Sequence, residues 1–393
     1  MRRVCVVGGG HTKFCFNTPK SGVELFSEAA TEAMNLSNLK PKDIQALYMG
    51  NVFGDIEEGQ STIQTYAAND MGCLNIPASR FEGACASATI AIRDAAAWVG
   101  GGYFDIVLAG GTERCTAMGT PIATRFFAAC SDGRYEFPSG ITFPSVFAML
   151  THLYAKTYNI PLPKLKETLA GVSVQSHYYG ARNPLAQFQK EITKEQVLGG
   201  AFVSTPLQLL DCCPFTDGAA AVVICSEEVA KKLTPKPIYI AGFGQGSSGK
   251  LSSQSKYLPR LYAREFSVKQ AYSMAKIEPK DVDICELHDC FSTASLIAAE
   301  SLGFAEFGKA GELWDKGETR HDGKRPINMS GGLKSKGHPI GATGASQVHD
   351  ICKQLRGELV EQGRQVEGAK IGLVDTLGGD GVIVSLVLKN FAD

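Results

Sequence analysis

Short apolar runs alternate along this chain with longer stretches in which alanine recurs at helical spacing. Arg3 to Val7 predicts a first strand, Val23 to Met34 a helix, and Ala46 to Met49 a second strand. The same order returns in the second half, with a helical pattern over Val268 to Ala275 and a strand over Ile284 to Leu287. Between helix and strand each half carries the same punctuation: Leu39-Lys40-Pro41-Lys42-Asp43-Ile44 and Ile277-Glu278-Pro279-Lys280-Asp281-Val282. Further on, Val107-Leu108-Ala109-Gly110-Gly111 is echoed by Asp375-Thr376-Leu377-Gly378-Gly379, at a longer spacing, so the second half holds an insertion between these landmarks.

Strands and helices alternating in this way predict an α/β protein made of two duplicated units with mainly parallel, buried sheets. From Cys115 to Leu210 the texture changes to aromatics, prolines and glycines, as in FPSGITFPSVFAML (137–150) and HYYGARNPLAQF (177–188). The strand texture resumes at TDGAAAVVICS (216–226). The expected organisation is an N-terminal half at 1–114 continued at 211–232, an inserted loop domain at 115–210, and a C-terminal half at 233–393. Long insertions of this kind are commonly lids or binding loops.

Composition changes the picture little. A formal charge of −1 over 393 residues offers no footprint for nucleic acid or an anionic membrane. No window approaches the apolar length of a membrane span, and the apolar run before Gly8 is too short for a signal peptide. The last residues, NFAD, are not a peroxisomal address, and the expected location is cytoplasmic. The 12 cysteines are scattered without a CxxC pair, which gives no zinc framework and fits a reduced compartment.

Candidate chemistry starts at FEGACASATI (81–90), where Cys85 stands among small residues at the point where a strand turns into a helix. By itself such a cysteine is a packing residue, since free cysteine is among the most buried types. Three other stretches bear on it: ELHDCF (286–291), KSKGHPIGATG (334–344) and LGGDG (377–381). Each sets reactive or flexible residues at a strand end or a helix start, where open α/β sheets place ligands. Helix starts also lower a thiol pKa and stabilise an oxyanion. Cys85, Cys290, His288 and His338 together form a thiol-dependent acyl-transfer constellation. GGGHTK (8–13) is not GxGxxG, so a dinucleotide site is excluded. His11, His152, His177, His321 and His349 lack such contexts.

EGACASA, HDCF, GHPIGATG and LGGDG resemble, in that order and over essentially the whole chain, the motifs of the thiolase superfamily. HDCF stands where most thiolases carry Asn-Glu-Ala-Phe, which resembles the sterol-carrier-protein-type and archaeal branch. The resemblance implies a duplicated five-layered α-β-α-β-α architecture with an inserted loop domain. It also implies roles. Cys85 would accept the acyl group, and His338 would take its proton and then help hold a thioester oxygen. Cys290 would move the proton at the α-carbon, and His288 would contribute to that oxyanion hole. The backbone N–H groups of Cys85 and Gly378 would form a second hole. Common thiolases place the acid/base cysteine where this chain has Thr376, so the branch's HDCF cysteine takes that task. On this reading the small residues around Cys85 admit the pantetheine arm and the acyl group.

The implied reaction is reversible, CoA-dependent cleavage or formation of a 3-oxoacyl-CoA. Alternatives are an acetoacetyl-CoA-forming acetyltransferase, a ketoacyl synthase and a non-catalytic CoA- or lipid-binding subunit. A synthase has no task for Cys290. Phe137, Phe143, Pro144, Phe147 and Met149 are candidates for lining an acyl pocket, and Ser247, within Gln245–Lys250, for contacting CoA. Members of the branch act on acetoacetyl-CoA, sterol side chains and aromatic intermediates such as benzoylsuccinyl-CoA. No metal and no cofactor is expected on this chain, with coenzyme A as substrate. The expected assembly is a homodimer or homotetramer, with a small zinc-ribbon/OB-fold protein as a possible partner.

Overall fold

A computed structural model describes residues 2–379 and 381–392; Asp380 of LGGDG lies outside the described residues. Among the described residues eleven strands are formed: β1 (Val4–His11), β2 (Ala46–Gly50), β3 (Ala78–Phe81), β4 (Ile106–Glu113), β5 (Phe202–Ser204), β6 (Leu207–Gln208), β7 (Gly218–Ser226), β8 (Ile238–Ser247), β9 (Ile284–Glu286), β10 (Ile371–Gly378) and β11 (Val382–Lys389). Nine of them make one sheet, in the order β3-β2-β4-β7-β1-β8-β11-β10-β9, and β5 pairs with β6. The duplication is visible in that order. One half runs β3-β2-β4-β7-β1, and the other runs β9-β10-β11-β8, extended beyond β9 by an isolated parallel bridge from Cys285 to Ile327. The halves join where β1 meets β8, through Cys5–Tyr239 and Val6–Ile238.

Both copies of the Pro-Lys-Asp punctuation fold alike, as single 3-10 turns at Pro41–Asp43 and Pro279–Asp281. In each, the aspartate accepts the backbone N–H three residues before it, Lys40 or Glu278, at 2.8 Å. Proline fixes φ at the first position and the carboxylate satisfies an otherwise free donor, so the chain turns sharply into β2 or β9.

Glycines in the first strand of each half serve a second shared purpose. A Cβ on Gly10 would lie 2.0 Å from the Ala29 carbonyl, and one on Gly244 would lie 2.0 Å from the Ser267 carbonyl. Helices Gly22–Leu36 and Tyr262–Ala275 therefore sit directly on backbone, and β1 runs on through its glycines to His11 rather than stopping at Val7.

The sheet is mixed, not mainly parallel. Among the described residues, the strand pairs β2–β3, β2–β4 and β9–β10 run in parallel, with the isolated bridge at Cys285. The pairs β1–β7, β1–β8, β4–β7, β8–β11 and β10–β11 are antiparallel. Periodicity reports that a strand is buried but not its direction, and the short β10–β11 connection closes a hairpin that a crossover helix could not. Helices Ser87–Gly100 and Thr343–Arg356 lie between the two halves of the sheet, sharing a core with β4, β7, β10 and β11. With the outer helices this makes five layers. Between β4 and β7 the chain builds helices Phe143–Thr157 and Leu162–Gly180, which pack on helix Ser292–Ser301 of the second half. Among the described residues no helix is long and apolar enough to cross a membrane.

Candidate active site

Three buried helices start around one cavity of about 320 Å³. Cys85 precedes Ser87–Gly100, Cys290 precedes Ser292–Ser301, and His338 precedes Thr343–Arg356. All three residues line the cavity, together with His288.

Cys85 sits in a 3-10 turn, Ala84–Ala86. Ala84 is held at φ 49°, a left-handed backbone that costs a residue with a Cβ about 1–2 kcal/mol. Ser87 clamps this turn: its hydroxyl accepts the Gly83 N–H at 3.0 Å and donates to the Ala84 carbonyl at 2.6 Å. The strain aims the thiol into the cavity, a placement that periodicity could not reveal. A Cβ on Gly378 would lie 1.9 Å from the Gly83 carbonyl, and one on Gly344 would lie 1.8 Å from Thr89 Oγ1. Gly378 and Gly344 are thus required by the protein's own packing around the Cys85 turn.

His338 carries its tautomer in its hydrogen bonds. Thr343 Oγ1 lies 3.0 Å from the Pro339 carbonyl and gives it the single hydroxyl proton. The 2.7 Å contact between His338 Nδ1 and the same oxygen is then one in which Nδ1–H donates. Nε2 is left with a free lone pair, the form a base needs. The Cys85 Sγ and one ring nitrogen each of His288 and His338 lie within 4.8 Å of one another. The two imidazoles meet edge to face, 5.0 Å between centroids, and His288 Nδ1 is buried without a partner among the described residues.

The HDCF turn is anchored from beneath. Lys334, with no solvent exposure, donates to the Asp289 carboxylate at 2.6 Å and to the Asp289 carbonyl at 3.1 Å. Lys336 pairs with Asp350 at 3.1 Å. Both lysines belong to the π-helical turn Gly332–Lys336. They are the supports that sequence reasoning missed, because a lysine on paper reads as a solvated side chain. The Cys213 N–H donates to the Cys290 carbonyl at 2.9 Å, which ties the segment before β7 to the HDCF turn.

The remaining candidates divide. Phe143, Pro144 and Phe147 line the cavity, and Phe147 stacks on Phe291 at 4.7 Å. Met149 does not: two positions after Phe147 it lies on the opposite side of the helix, 55% exposed. Phe137, in a 3-10 turn before that helix, and Ser247, at the exposed end of β8, do not line it either. Gly378 closes β10 against Gly83, while the backbone N–H that reaches the Cys85 sulfur is that of Gly379. Thr376 is fully buried and donates to Thr89 Oγ1 at 2.7 Å, outside the cavity wall. Phe127, Phe215, Phe291 and Leu377 complete an apolar surface.

Burial governs the electrostatics. It pushes the Cys85 thiol up, helped by the nearby Cys130 and Cys213 and opposed by the Gly379 N–H. It pushes Cys290 up as well, with Cys85 and Asp289 adding to it and Lys334 and Arg264 opposing. Burial holds His338 down to about 3, and His288 well below its usual value. The resting cluster is therefore neutral, two thiols and two imidazoles. A base lowered in this way stays unprotonated through the whole neutral and mildly acid range. Acylation of Cys85 is accordingly expected to show no acid limb at the ordinary histidine value of about 6.5. Its rate measured from about pH 5.5 to 8 checks this, and a half-maximal point near 6.5 would show that His338 titrates as if exposed.

The family model "Thiolase, N-terminal domain" matches residues 4–228, and "Thiolase C-terminal domain-like" matches residues 244–388. The chain belongs to the thiolase family. It is 40% identical to the acetyl-CoA acetyltransferase of Methanothermobacter thermautotrophicus, over 97% of each chain. It is 35% identical to benzoylsuccinyl-CoA thiolase subunit BbsB of Thauera aromatica, over 96% of this chain and 95% of that one. A solved structure, the "Ltp2-ChsH2(DUF35) aldolase", has the same fold, with a TM-score of 0.82 at 24% identity, over 99% of this chain and 98% of that one. The chain is thus an acyltransferase of the thiolase type, with an acyl-CoA as substrate.

Proposed function

We propose that this thiolase cleaves and forms 3-oxoacyl-CoA through an acyl group carried on Cys85. The observation that carries the reading is His338, whose Nδ1 is committed to Thr343 and one ring nitrogen of which lies within 4.8 Å of the Cys85 Sγ. His338 Nε2 takes the Cys85 proton, and the thiolate attacks the ketone carbon. Backbone N–H groups at the Cys85 and Gly379 turns receive the oxyanion. The bond between the α-carbon and the ketone carbon breaks, and the thioester enolate leaves. His288 supports the enolate oxygen while the Cys290 thiol protonates the α-carbon. Incoming CoA returns a proton to Cys290, its sulfur displaces the acyl group, and Cys85 recovers its proton from His338. No redox step and no cofactor beyond CoA is needed.

The cavity wall supports an uncharged, bulky acyl group. Phe127, Phe143, Phe147, Phe215 and Phe291 meet there, and no lysine or arginine lines it among the described residues. An aromatic or long aliphatic acyl chain fits such a wall, whereas a carboxylate-bearing one, as a succinyl group would be, finds no cation. The second reading, acetoacetyl-CoA formation, is favoured by the 40% identity to acetyl-CoA acetyltransferase. A ketoacyl synthase leaves Cys290 without a task, and a non-catalytic subunit has no need of a committed histidine tautomer. The chain is proposed to act in the cytoplasm as a homo-oligomer. A DUF35-type partner is supported by the similar solved structure, an aldolase whose name pairs Ltp2 with a DUF35 protein.

Incubation with acetyl-, long-chain and aromatic acyl-CoA, followed by peptide mapping, is expected to place an adduct on Cys85 that CoA discharges. Absence of an adduct with every donor would overturn the reading. Val203, 46% exposed on β5, lines the cavity without supporting the core. Val203→Trp is expected to lower kcat/KM for aromatic acyl-CoA about tenfold or more while sparing acetyl-CoA. An equal loss for both would show that the acyl group lies elsewhere.

A further inference from the structure

Behind the HDCF turn, helix Tyr262–Ala275 sends Arg264 into the interior, where none of it meets solvent. Its Nε lies 3.1 Å from both carboxylate oxygens of Asp375 on β10. Asp375 also accepts the backbone N–H of His288. The two other guanidinium nitrogens are buried with no hydrogen-bond partner among the described residues. A pair serving stability alone would be poorly built, because buried ion pairs barely repay desolvation even when every donor is satisfied. The retained charge and the contact to His288 point toward the site.

We propose that Arg264 and Asp375 are positioning residues of the reaction, fixing the His288 backbone to β10 so that the His288–Cys290 turn keeps its aim into the cavity. The inference rests on the reading of Cys290 as the acid/base. The charge at Cys290 is influenced by the thiols of Cys85 and Cys213, the carboxylate of Asp289, the ammonium of Lys334 and the guanidinium of Arg264. The imidazoles of His288 and His338 line the same cavity. Removing Arg264 therefore takes away one of two nearby cations.

The test compares Arg264→Lys with an apolar double variant, Arg264→Met/Asp375→Leu, using two separate readouts. One is single-turnover acylation of Cys85 by mass. The other is exchange of the α-hydrogens of an acyl-CoA with deuterium oxide, which belongs to Cys290. The double variant is expected to fold, to acylate Cys85 within about twofold of the parent, and to lose about tenfold or more in exchange. The midpoint of its exchange profile should move to higher pH. Arg264→Lys, which keeps the charge, should keep the midpoint and lose only part of the rate. Acylation and exchange falling by one common factor in both variants would overturn the proposal, as would unchanged exchange in either. The underlying reading fails separately, if Cys290→Ala retains exchange in the presence of Arg264.

Discussion

Cys85→Ala is expected to lower turnover by on the order of 10⁴-fold or more, the scale seen when a covalent nucleophile is removed. The change deletes one sulfur from a partly exposed turn whose geometry is set by Ser87 and Glu82, not by the thiol. Folding and the thermal midpoint should therefore be retained, and acyl-CoA should still bind. Intact mass should show no acyl adduct with any donor. Cys85→Ser isolates the chemistry further, because the cavity and hydrogen bonds persist while a hydroxyl replaces a far more acidic thiol. An adduct surviving in either variant would move the nucleophile elsewhere. Cys213, which lines the same cavity, is the residue to map first.

Cys290→Ala is expected to separate the two halves of the reaction. Acylation of Cys85 by a simple thioester relies on His338 and the oxyanion contacts. The departing CoA thiolate, a good leaving group, takes its proton from solvent when Cys290 is absent, so acylation should persist. Exchange of α-hydrogens should disappear, and carbon–carbon cleavage should fall on the order of 10²–10⁴-fold, as for loss of a general acid or base. The separation follows from geometry. Cys290 belongs to the turn held by Lys334, while Cys85 belongs to the turn held by Ser87, and neither clamp passes through the other thiol. Acylation and exchange lost together would mean that Cys290 instead supports the cavity or the Cys85 thiolate. Full cleavage activity would assign the proton transfer to another group.

Much of this is legible in the sequence. Pro41–Asp43 and Pro279–Asp281 were readable as punctuation because a proline and an aspartate two residues apart make a local turn that needs no tertiary partner. The duplication was readable because both copies must solve the same local problem. Cys85, His288, Cys290 and His338 were readable because their motifs are short and contiguous, and the cavity gathers all four. Phe143 and Phe147 came through because they are four apart on one helical face; Met149 did not, because a run of apolar letters hides which side of the helix each occupies.

Residue type and local spacing thus determined the strands and helices, the repeat and the candidates for reactive side chains, since these follow from interactions within a few residues. Only the tertiary structure decided how the strands run, because direction depends on where distant segments return to the sheet. It also decided the details on which the chemistry rests. The His338 tautomer depends on Thr343, which is local, but also on a buried setting made by the whole fold. Lys334 meets Asp289, and Arg264 meets Asp375, across long stretches of chain. A buried charge acquires its meaning from its partner, and a partner far away in sequence exists only once the chain has folded.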